Sequence, residues 1–226
     1  QFGVLGFKYN LSVDDNSYLR TILSGSYSGN TFFADRFIGK DTPEERLIRF
    51  TEADNTEFRF TLSTLFNSKV SSKFSYRAGV LLENFNIQNL LRDRNEQADS
   101  NNDGDPDLVT FTDIDENISL LQPYIQGQLR LTETLTLNTG LHSQYSTLNK
   151  QFAIGPRAAL NYQFLPNHAL NIGYGLHYQN IPYPLLFLNE NVNGSIVQTN
   201  RDLDFVKSNH FVLGYDVKLS SAWRGK

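Results

Sequence analysis

The feature that most restricts the fold of this chain is a strict alternation of apolar and polar residues between residues 120 and 179. Four runs of about ten residues follow each other there, and each run ends in a short polar break. In the first run Leu121, Ile125 and Leu129 occupy one set of alternate positions, and Gln122 and Gln126 occupy the other set. Successive side chains of a β-strand point to opposite faces, so a period of two predicts strands and excludes helices.

The length of these runs separates the possible kinds of sheet. Strands of soluble proteins mostly have about 5 to 6 residues, whereas a strand tilted through a bilayer needs about 9 to 11. The polar positions hold Arg157, His142 and His177 beside several Asn and Gln residues, and each would need its own hydrogen-bond partner in a dry core. We therefore predict that one face of the sheet contacts lipid and that the other faces a water-filled lumen.

Charge and composition exclude other classes of protein. The net charge is -4 and no basic cluster is present, so the chain lacks the electrostatic footprint of a nucleic-acid-binding protein. The absence of cysteine excludes a disulfide framework and a thiolate metal site. No window approaches the 18 apolar residues of a spanning helix. The mean hydropathy of -0.39 is compatible with a membrane barrel, because a barrel strand exposes only every second residue to lipid.

The same pattern continues along residues 1–226 and predicts a single all-β unit, an antiparallel transmembrane β-barrel segment of about nine strands. Besides the four central runs, we predict strands at about 2–10, 17–28, 56–67, 74–86 and 207–219. Short connections (11–16, 67–73, 132–134 and 165–169) alternate with long ones (29–55, 87–118 and 180–205), with one short exception at 149–153. Short periplasmic turns and long external loops are typical of outer-membrane barrels.

Nine strands predict an incomplete barrel. Single-chain bacterial barrels have even strand counts, and an open sheet edge in lipid leaves backbone N–H and C=O groups without partners. Either further strands of the same protein or another chain must complete the barrel. The N-terminus also lacks a signal-peptide pattern although an outer-membrane protein must be exported, so we expect a longer precursor.

The arginines indicate which face is the lumen. An arginine facing lipid near the midplane costs about 2 to 4 kcal/mol, so Arg59, Arg77 and Arg157 are expected on the lumen face together with Gln126. His142 and His177 occupy matching GLH triplets on that face, two strands apart, which separates their backbones by roughly 9 to 10 Å. Because this is too far for a shared metal ion, a hydrogen-bonded network with Arg157 and Gln144 is the better interpretation.

Aromatic residues are expected near the strand ends, where an interface girdle would lie. They are Phe66, Phe74, Tyr162, Phe164 and Trp223 at the short-turn end, and Tyr27, Tyr145 and Tyr178 at the other end. Two further aromatic segments, 32–33 and 181–188, lie in predicted loops. The sequence leaves open whether they contact a ligand, a neighbouring barrel or a surface partner.

The segment DSNNDGDPD at 99–107 predicts a calcium loop. Its oxygen-bearing side chains alternate as calcium ligands do, and Gly104 allows a sharp turn; they are Asp99, Asn101, Asp103, Asp105 and Asp107. Thr110 stands where an EF-hand has its bidentate Glu, so a looser external Ca²⁺ loop is expected. The alternative is a solvated acidic turn, because Asn, Asp and Gly all favour turns.

No sequence motif indicates catalysis. A nucleophile elbow, a Gly-rich phosphate loop and an HExxH segment are all absent from the sequence. The paired carboxylates Glu44 and Glu45 lie in a predicted exposed connection, where solvated charges are the simpler interpretation. We therefore expect a protein that is not an enzyme.

Three passages resemble the barrel of TonB-dependent outer-membrane receptors, of the type with a carboxypeptidase-regulatory-like N-terminal domain. They are residues 122–145, 155–179 and 201–220, with their two GLH triplets, a PRA segment and a K-S-x-H-x-V-x-G-Y run. The resemblance implies a 22-stranded barrel with an N-terminal plug, located in the bacterial outer membrane, that imports a nutrient with energy relayed by the TonB system. This sequence shows neither plug nor TonB box, so the resemblance implies a middle section of the barrel whose lumen residues face the plug.

Transport is therefore the primary functional hypothesis, with the nutrient unspecified. The alternative is a structural or ligand-binding component of a surface assembly, in contact with other outer-membrane subunits and without transport by this chain. A passive porin is the third possibility.

Overall fold

The nine predicted strands form one antiparallel sheet in the computed structural model, which describes residues 1–95, 99–100, 102, 104–219 and 223–225. The elements in chain order are β1 (Phe2–Asp14), β2 (Ser17–Ile38), β3 (Arg46–Lys69), β4 (Phe74–Asn95), β5 (Asp107–Arg130), β6 (Leu135–Ser146), β7 (Phe152–Leu165), β8 (His168–Gln179), α1 (Tyr183–Leu186), β9 (Glu190–Val192), β10 (Ser195–Val197), β11 (Val206–Lys218) and β12 (Arg224–Gly225). Strands β9 and β10 form a separate hairpin.

Neighbouring strands of the main sheet are neighbours in sequence, except that β11 follows β8. The described part of this sheet begins with β1 and ends with the two-residue β12, so it is not closed. This confirms the predicted antiparallel, incomplete barrel sheet. Within the described ranges, no helix has the length and apolar character needed to cross a membrane.

The register of the sheet places the apolar residues of the spanning strands on one face, here called the apolar face. One row across five strands joins Leu129 to Leu137, Leu137 to Leu160, Leu160 to Ile172, and Ile172 to Leu213. Leu160, Ile172 and Leu213 are 41%, 52% and 76% exposed. These side chains are therefore not buried between two stacked sheets, and the face is available to lipid.

The apolar residues of the apolar face form a band across the sheet. Polar side chains on the same face mark the edge of this band that lies towards the longer connections between strands. The Thr31 hydroxyl donates to Asp54 at 3.2 Å, and the Asn84 amide donates to Asn117 at 2.8 Å. Each pair lies just beyond the run of apolar residues that this face carries from the short-turn end. Because exposed polar groups are disfavoured in hydrocarbon, we place the membrane boundary at this level.

The segments 29–55 and 87–118, predicted as loops, are largely strand, and this part of the prediction is wrong. Strands β2 and β3 stay paired up to Ile38 and Arg46, and β4 and β5 stay paired up to Asn95 and Asp107. At about 3.3 Å per residue the 22 residues of β2 extend roughly 70 Å, more than a bilayer core of about 30 Å requires. The hairpins therefore project beyond the membrane.

The projecting strands escaped prediction because neither of their faces contacts lipid, which removes the need for strict apolar alternation. Cross-strand polar pairs support them instead. Arg49 contacts Asp35 at 2.5 Å and lies over the Phe33 ring at 4.3 Å, and the Thr51 hydroxyl donates to Asp93 at 3.0 Å.

Aromatic rings cluster on the apolar face at the short-turn end. The rings of Phe66 and Phe74 lie 6.0 and 6.1 Å from that of Tyr76, and the Phe164 and Tyr215 rings lie 6.4 Å apart. Such rings suit the interface between hydrocarbon and water.

Candidate functional site

The face opposite the apolar band, here called the polar face, carries a continuous row of register-aligned residues. The row runs from Asn67 through Arg77, Gln126, Gly140, Arg157 and Gly175 to His210. Three of the residues predicted for the lumen, Arg77, Gln126 and Arg157, therefore belong to one line across the sheet. His142 lies two residues beyond Gly140, opposite Tyr124, and His177 lies two residues beyond Gly175, so both stay on the polar face.

Within this row the two arginines have different surroundings. The Arg77 Nε donates to the Gln126 Oε1 at 2.7 Å. Arg157 is flanked in register by Gly140 and Gly175, and a Cβ on Gly175 would lie 3.6 Å from the Arg157 Cγ. The Arg157 Nε is buried and has no hydrogen-bond partner among the described residues.

Two histidines that the alternation alone does not bring together lie close to each other on the polar face. The rings of His177 and His210 lie 4.5 Å apart on the adjacent strands β8 and β11. His142, the predicted neighbour of His177, lies on β6, two strands away. The alternation of the predicted strand 207–219 places His210 on the polar face, but the alternation of a single strand does not specify its register against β8.

Arg59, also predicted for the lumen, lies in a separate cluster. Its Nη2 contacts the Glu57 Oε1 at 3.0 Å and its Nη1 lies 3.9 Å from the Glu83 Oε1. The Gln122 amide donates to the other oxygen of Glu83 at 3.0 Å, and the Arg59 guanidinium covers the Phe85 ring at 4.7 Å. Arg59 is thus paired with carboxylates of its own wall, whereas no ion pair joins Arg77 or Arg157 to a described acidic residue.

An open cavity of about 740 Å³ lies over the row of register-aligned residues on the polar face. We call it the polar trough and define it by Arg77, Gln126, Asn138, Arg157, His177 and His210, which line it together with further Asn and Gln residues and small residues such as Gly140 and Gly173. Its lining includes no Asp and no Glu among the described residues. The arrangement suits recognition of a polar partner that carries negative charge.

Between β8 and β11, residues 180–205 fold onto the polar face instead of extending outward, and we call this segment the strap. Leu186 and Phe187 are 2% and 1% exposed and pack in a cluster with apolar residues of β4 and β5. These partners are Phe85, Ile87, Ile114, Ile118 and Leu120. The aromatic segment 181–188, for which the sequence left three roles open, thus contacts its own sheet.

The signal for this contact lay in the sequence of β4 and β5. Phe85, Ile118 and Leu120 occupy positions of the polar face, where a wet lumen predicts polar residues. A group of apolar side chains on that face indicates that another segment packs on them, but the alternation does not predict which distant segment this is.

Polar contacts also hold the strap. The Asn189 N–H donates to the Phe111 carbonyl at 2.7 Å. Arg201 contacts Glu116 at 2.7 Å and lies over the Phe187 ring at 4.9 Å. Burial raises the pKa of Tyr183 to about 12, so its hydroxyl stays neutral in the cluster.

The predicted calcium loop is described only in part, because Asn101 and Asp103 lie outside the described residues. The three described carboxylates contact protein groups, since Asp105 pairs with Arg46 at 2.5 Å, Asp99 accepts from the Gly104 N–H at 3.0 Å, and Asp107 accepts from the Ser100 N–H at 3.0 Å. No grouping of three metal-binding side chains occurs among the described residues.

Calcium in this loop stays a prediction, and Arg46 gives it a sharp test. A Ca²⁺ ion would replace the Arg46 contact of Asp105, so Arg46→Ala is expected to tighten Ca²⁺ binding. The measurement is hydrogen exchange of the amides of 99–107 with Ca²⁺ and with chelator, using Mg²⁺ as the control ion. Identical exchange with Ca²⁺ and with chelator, in both proteins, would show that the loop is only a solvated turn.

Comparison with known proteins agrees with this geometry. A family model described as TonB dependent receptor-like, beta-barrel, matches residues 1–225. The crystal structure of the ferric-catecholate import receptor Fiu from E. coli K12, in its closed form, superposes with a TM-score of 0.61 at 14% identity, over 97% of this chain and 38% of Fiu. The siderophore receptor PirA from Pseudomonas aeruginosa matches with a TM-score of 0.42 at 11% identity, over 99% of this chain and 50% of PirA.

The chain thus spans well under two thirds of either receptor. At this identity the likeness to Fiu shows a shared fold. No curated protein matches this sequence significantly.

Proposed function

Since the chain belongs to the TonB-dependent receptor-like β-barrel family, we propose that it is part of the barrel of an outer-membrane receptor that imports a nutrient with energy from the TonB system. The partners in this proposal are outer-membrane lipid, a plug domain inside the barrel, the TonB system and the imported nutrient. The family comprises receptors and transporters rather than enzymes. The carboxypeptidase-regulatory-like domain type stays a prediction.

The observation that carries the proposal is the contrast between the two faces of one sheet. Leu160 and Ile172 lie exposed on the apolar face, while Asn161 and Asn171, their neighbours in the chain, are paired at 2.5 Å on the polar face. A sheet of this kind separates hydrocarbon from an aqueous lumen. The polar trough and the strap then lie where a plug and a ligand would be accommodated.

Energised uptake has a direct test in the producing bacterium. The parent strain is expected to deplete one compound from a rich medium. A strain without this receptor and a strain without TonB should both leave that same compound in the medium. The measurement is comparative metabolite analysis of the spent media. If the strain without TonB depletes the compound as fast as the parent does, the barrel is a passive porin.

One observation favours the second candidate, a component of a surface assembly. On the projecting β2–β3 hairpin, Phe33, Phe37 and Leu47 are 58%, 56% and 55% exposed, and Phe37 pairs directly with Leu47. Exposed apolar groups beyond the membrane boundary are suited to contact with another outer-membrane subunit. Copurification with a large complex, lost in a Phe37→Ser variant, together with undiminished nutrient uptake in a strain that lacks this chain, would support this role without transport by the chain.

A further inference from the structure

Strand β5 extends further than its neighbour β6 on the side of the longer connections. The pairing of the two strands ends at Leu120 and Ser146, where β6 itself ends. Strand β5 reaches from there to Asp107 and stays paired with β4 on its other side. Residues 107–119 of β5 therefore form an edge of the described sheet, which we call the β5 edge.

The backbone groups of every second residue point away from β4 along the β5 edge. The Arg130 N–H donates to the Lys73 carbonyl beside β4, so the even-numbered residues of the regular stretch 112–130 bond to β4. The Ser119 carbonyl accepts from the Thr147 N–H at 3.0 Å on the opposite side. The odd-numbered residues next in line therefore direct their N–H and C=O groups towards the open side. They are Asp113, Asp115 and Asn117.

These three residues have no backbone partner on the open side among the described ranges. The strap reaches the edge at one end, where Asn189 donates to the Phe111 and Thr110 carbonyls. Between Thr112 and Leu120 the pairing with β4 has no bulge, and the sequence has no proline there. A regular strand edge with unpaired N–H and C=O groups is a template on which a further strand can add.

The β5 edge is accessible from outside the barrel. On the polar face Ile114 and Ile118 are 3% and 0% exposed, because they belong to the cluster under the strap. On the other face Asp113 and Asp115 are exposed and lie beyond Asn117, which marks the membrane boundary. No ion pair joins either carboxylate to a cation within the described part of the chain.

The two carboxylates indicate which kind of strand fits the edge. Asp113 and Asp115 lie on the same face, two positions apart, so an added strand faces them with its own alternate side chains. Opposite charges across a strand pair are stabilising, whereas like charges directly opposite are destabilising. A second copy of the β5 edge would bring carboxylates against carboxylates. The partner that fits carries Lys or Arg at alternate positions.

We propose that the β5 edge is a docking site for an extended, basic segment of another polypeptide, which adds as a strand beside residues 113–117. Its backbone pairs with the outward N–H and C=O groups of Asp113, Asp115 and Asn117, and its basic side chains pair with the two carboxylates. The site lies outside the polar trough and involves neither the plug nor the nutrient. Its failure would leave the proposed transport function standing.

The test uses the complete receptor in vesicles of neutral phosphatidylcholine, with a blocked heptapeptide of alternating lysine and valine as the probe. Valine favours the strand conformation and lysine supplies the charge. We expect binding, measured by fluorescence anisotropy of the labelled peptide, and slower hydrogen exchange of the amides of 113–117. The same peptide with N-methylated backbone amides keeps its charges but cannot donate to the edge. It should bind about tenfold more weakly or worse, because two or more hydrogen bonds are lost.

Two variants at one position separate the backbone contribution from the charge. Asp115→Pro removes the outward N–H and the carboxylate together, while the bonds to β4 come from the neighbouring residues 114 and 116. We expect it to weaken peptide binding about tenfold or more. Asp115→Asn keeps the N–H and should weaken binding only about two- to fivefold. Retention of the heat-modifiable gel shift establishes that each variant is assembled.

Four results would overturn the proposal. The first is that the lysine–valine peptide does not bind. The second is that the N-methylated peptide, or the assembled Asp115→Pro variant, gives undiminished binding, which would show attraction to an acidic surface without strand addition. The third is equal binding of a glutamate–valine peptide. The fourth is a receptor dimer, detected by mass photometry in detergent and lost in Asp115→Pro, which would show that a second copy occupies the edge.

Discussion

Leu160→Arg is expected to impair membrane insertion of the barrel far more than Asn161→Arg. Leu160 is 41% exposed in the middle of the apolar row, whereas Asn161 lies on the polar face and donates to Asn171 at 2.5 Å. Arginine in contact with lipid near the midplane costs about 2 to 4 kcal/mol. This corresponds to a loss of about 30-fold or more in the equilibrium between inserted and unfolded protein.

Leu160→Arg and Asn161→Arg form a matched pair of variants, because both introduce the same side chain at adjacent positions of the same strand. Asn161→Arg removes one hydrogen bond, worth about 0.5 to 1.5 kcal/mol, and places its charge in the lumen. The measurement is reversible unfolding of the complete barrel in lipid vesicles, followed by the heat-modifiable gel shift. Equal losses for the two variants would contradict the assignment of the faces.

Phe187→Ala is expected to release the strap from the sheet. The Phe187 side chain is 1% exposed, packs in the cluster with Phe85 and Ile118, and is covered by Arg201. Removing a buried phenylalanine ring typically costs about 3 to 5 kcal/mol. The Asn189 amide, which donates to the Phe111 carbonyl, should then exchange its hydrogen about 100-fold faster or more.

Leu185→Ala provides the control for this prediction, because Leu185 lies in α1, two residues before Phe187, and is 55% exposed. Substitution of an exposed side chain is expected to change stability by less than about 0.5 kcal/mol. Hydrogen exchange detected by mass spectrometry on the complete receptor measures both variants. If Phe187→Ala leaves the exchange of residues 183–203 as slow as Leu185→Ala does, the cluster does not hold the strap.

The sequence sufficed to predict the spanning part of the fold because lipid and water impose opposite demands on neighbouring residues. Leu160 and Asn161 differ for this reason alone, and the alternation in every spanning strand follows the same rule. The antiparallel sheet order was predictable too, since short turns force sequence neighbours to pair. The contrast between lipid and water ends at the membrane boundary, so the alternation does not predict the strand residues of 29–55 and 87–118 beyond it.

The candidate site was less predictable because it depends on contacts between distant segments. The alternation assigned Arg77, Arg157 and His177 to one face, but their common row and the proximity of His210 follow from the register, which single strands do not specify. The strap depends on contacts between residues that are 69 (Ile118 and Phe187) to 102 (Phe85 and Phe187) positions apart in the chain. Only the apolar residues Phe85 and Ile118 on an otherwise polar face pointed to it.

The anchored strap has a thermodynamic consequence for any solute that binds beside it. A mobile loop must lose conformational entropy when it closes on a ligand, and this loss weakens the observed affinity. The Arg201 contact with Glu116 and the buried Phe187 have already fixed this segment. A nutrient that touches the exposed Leu185 would therefore meet a preorganised surface, and its binding should show little ordering of residues 180–205.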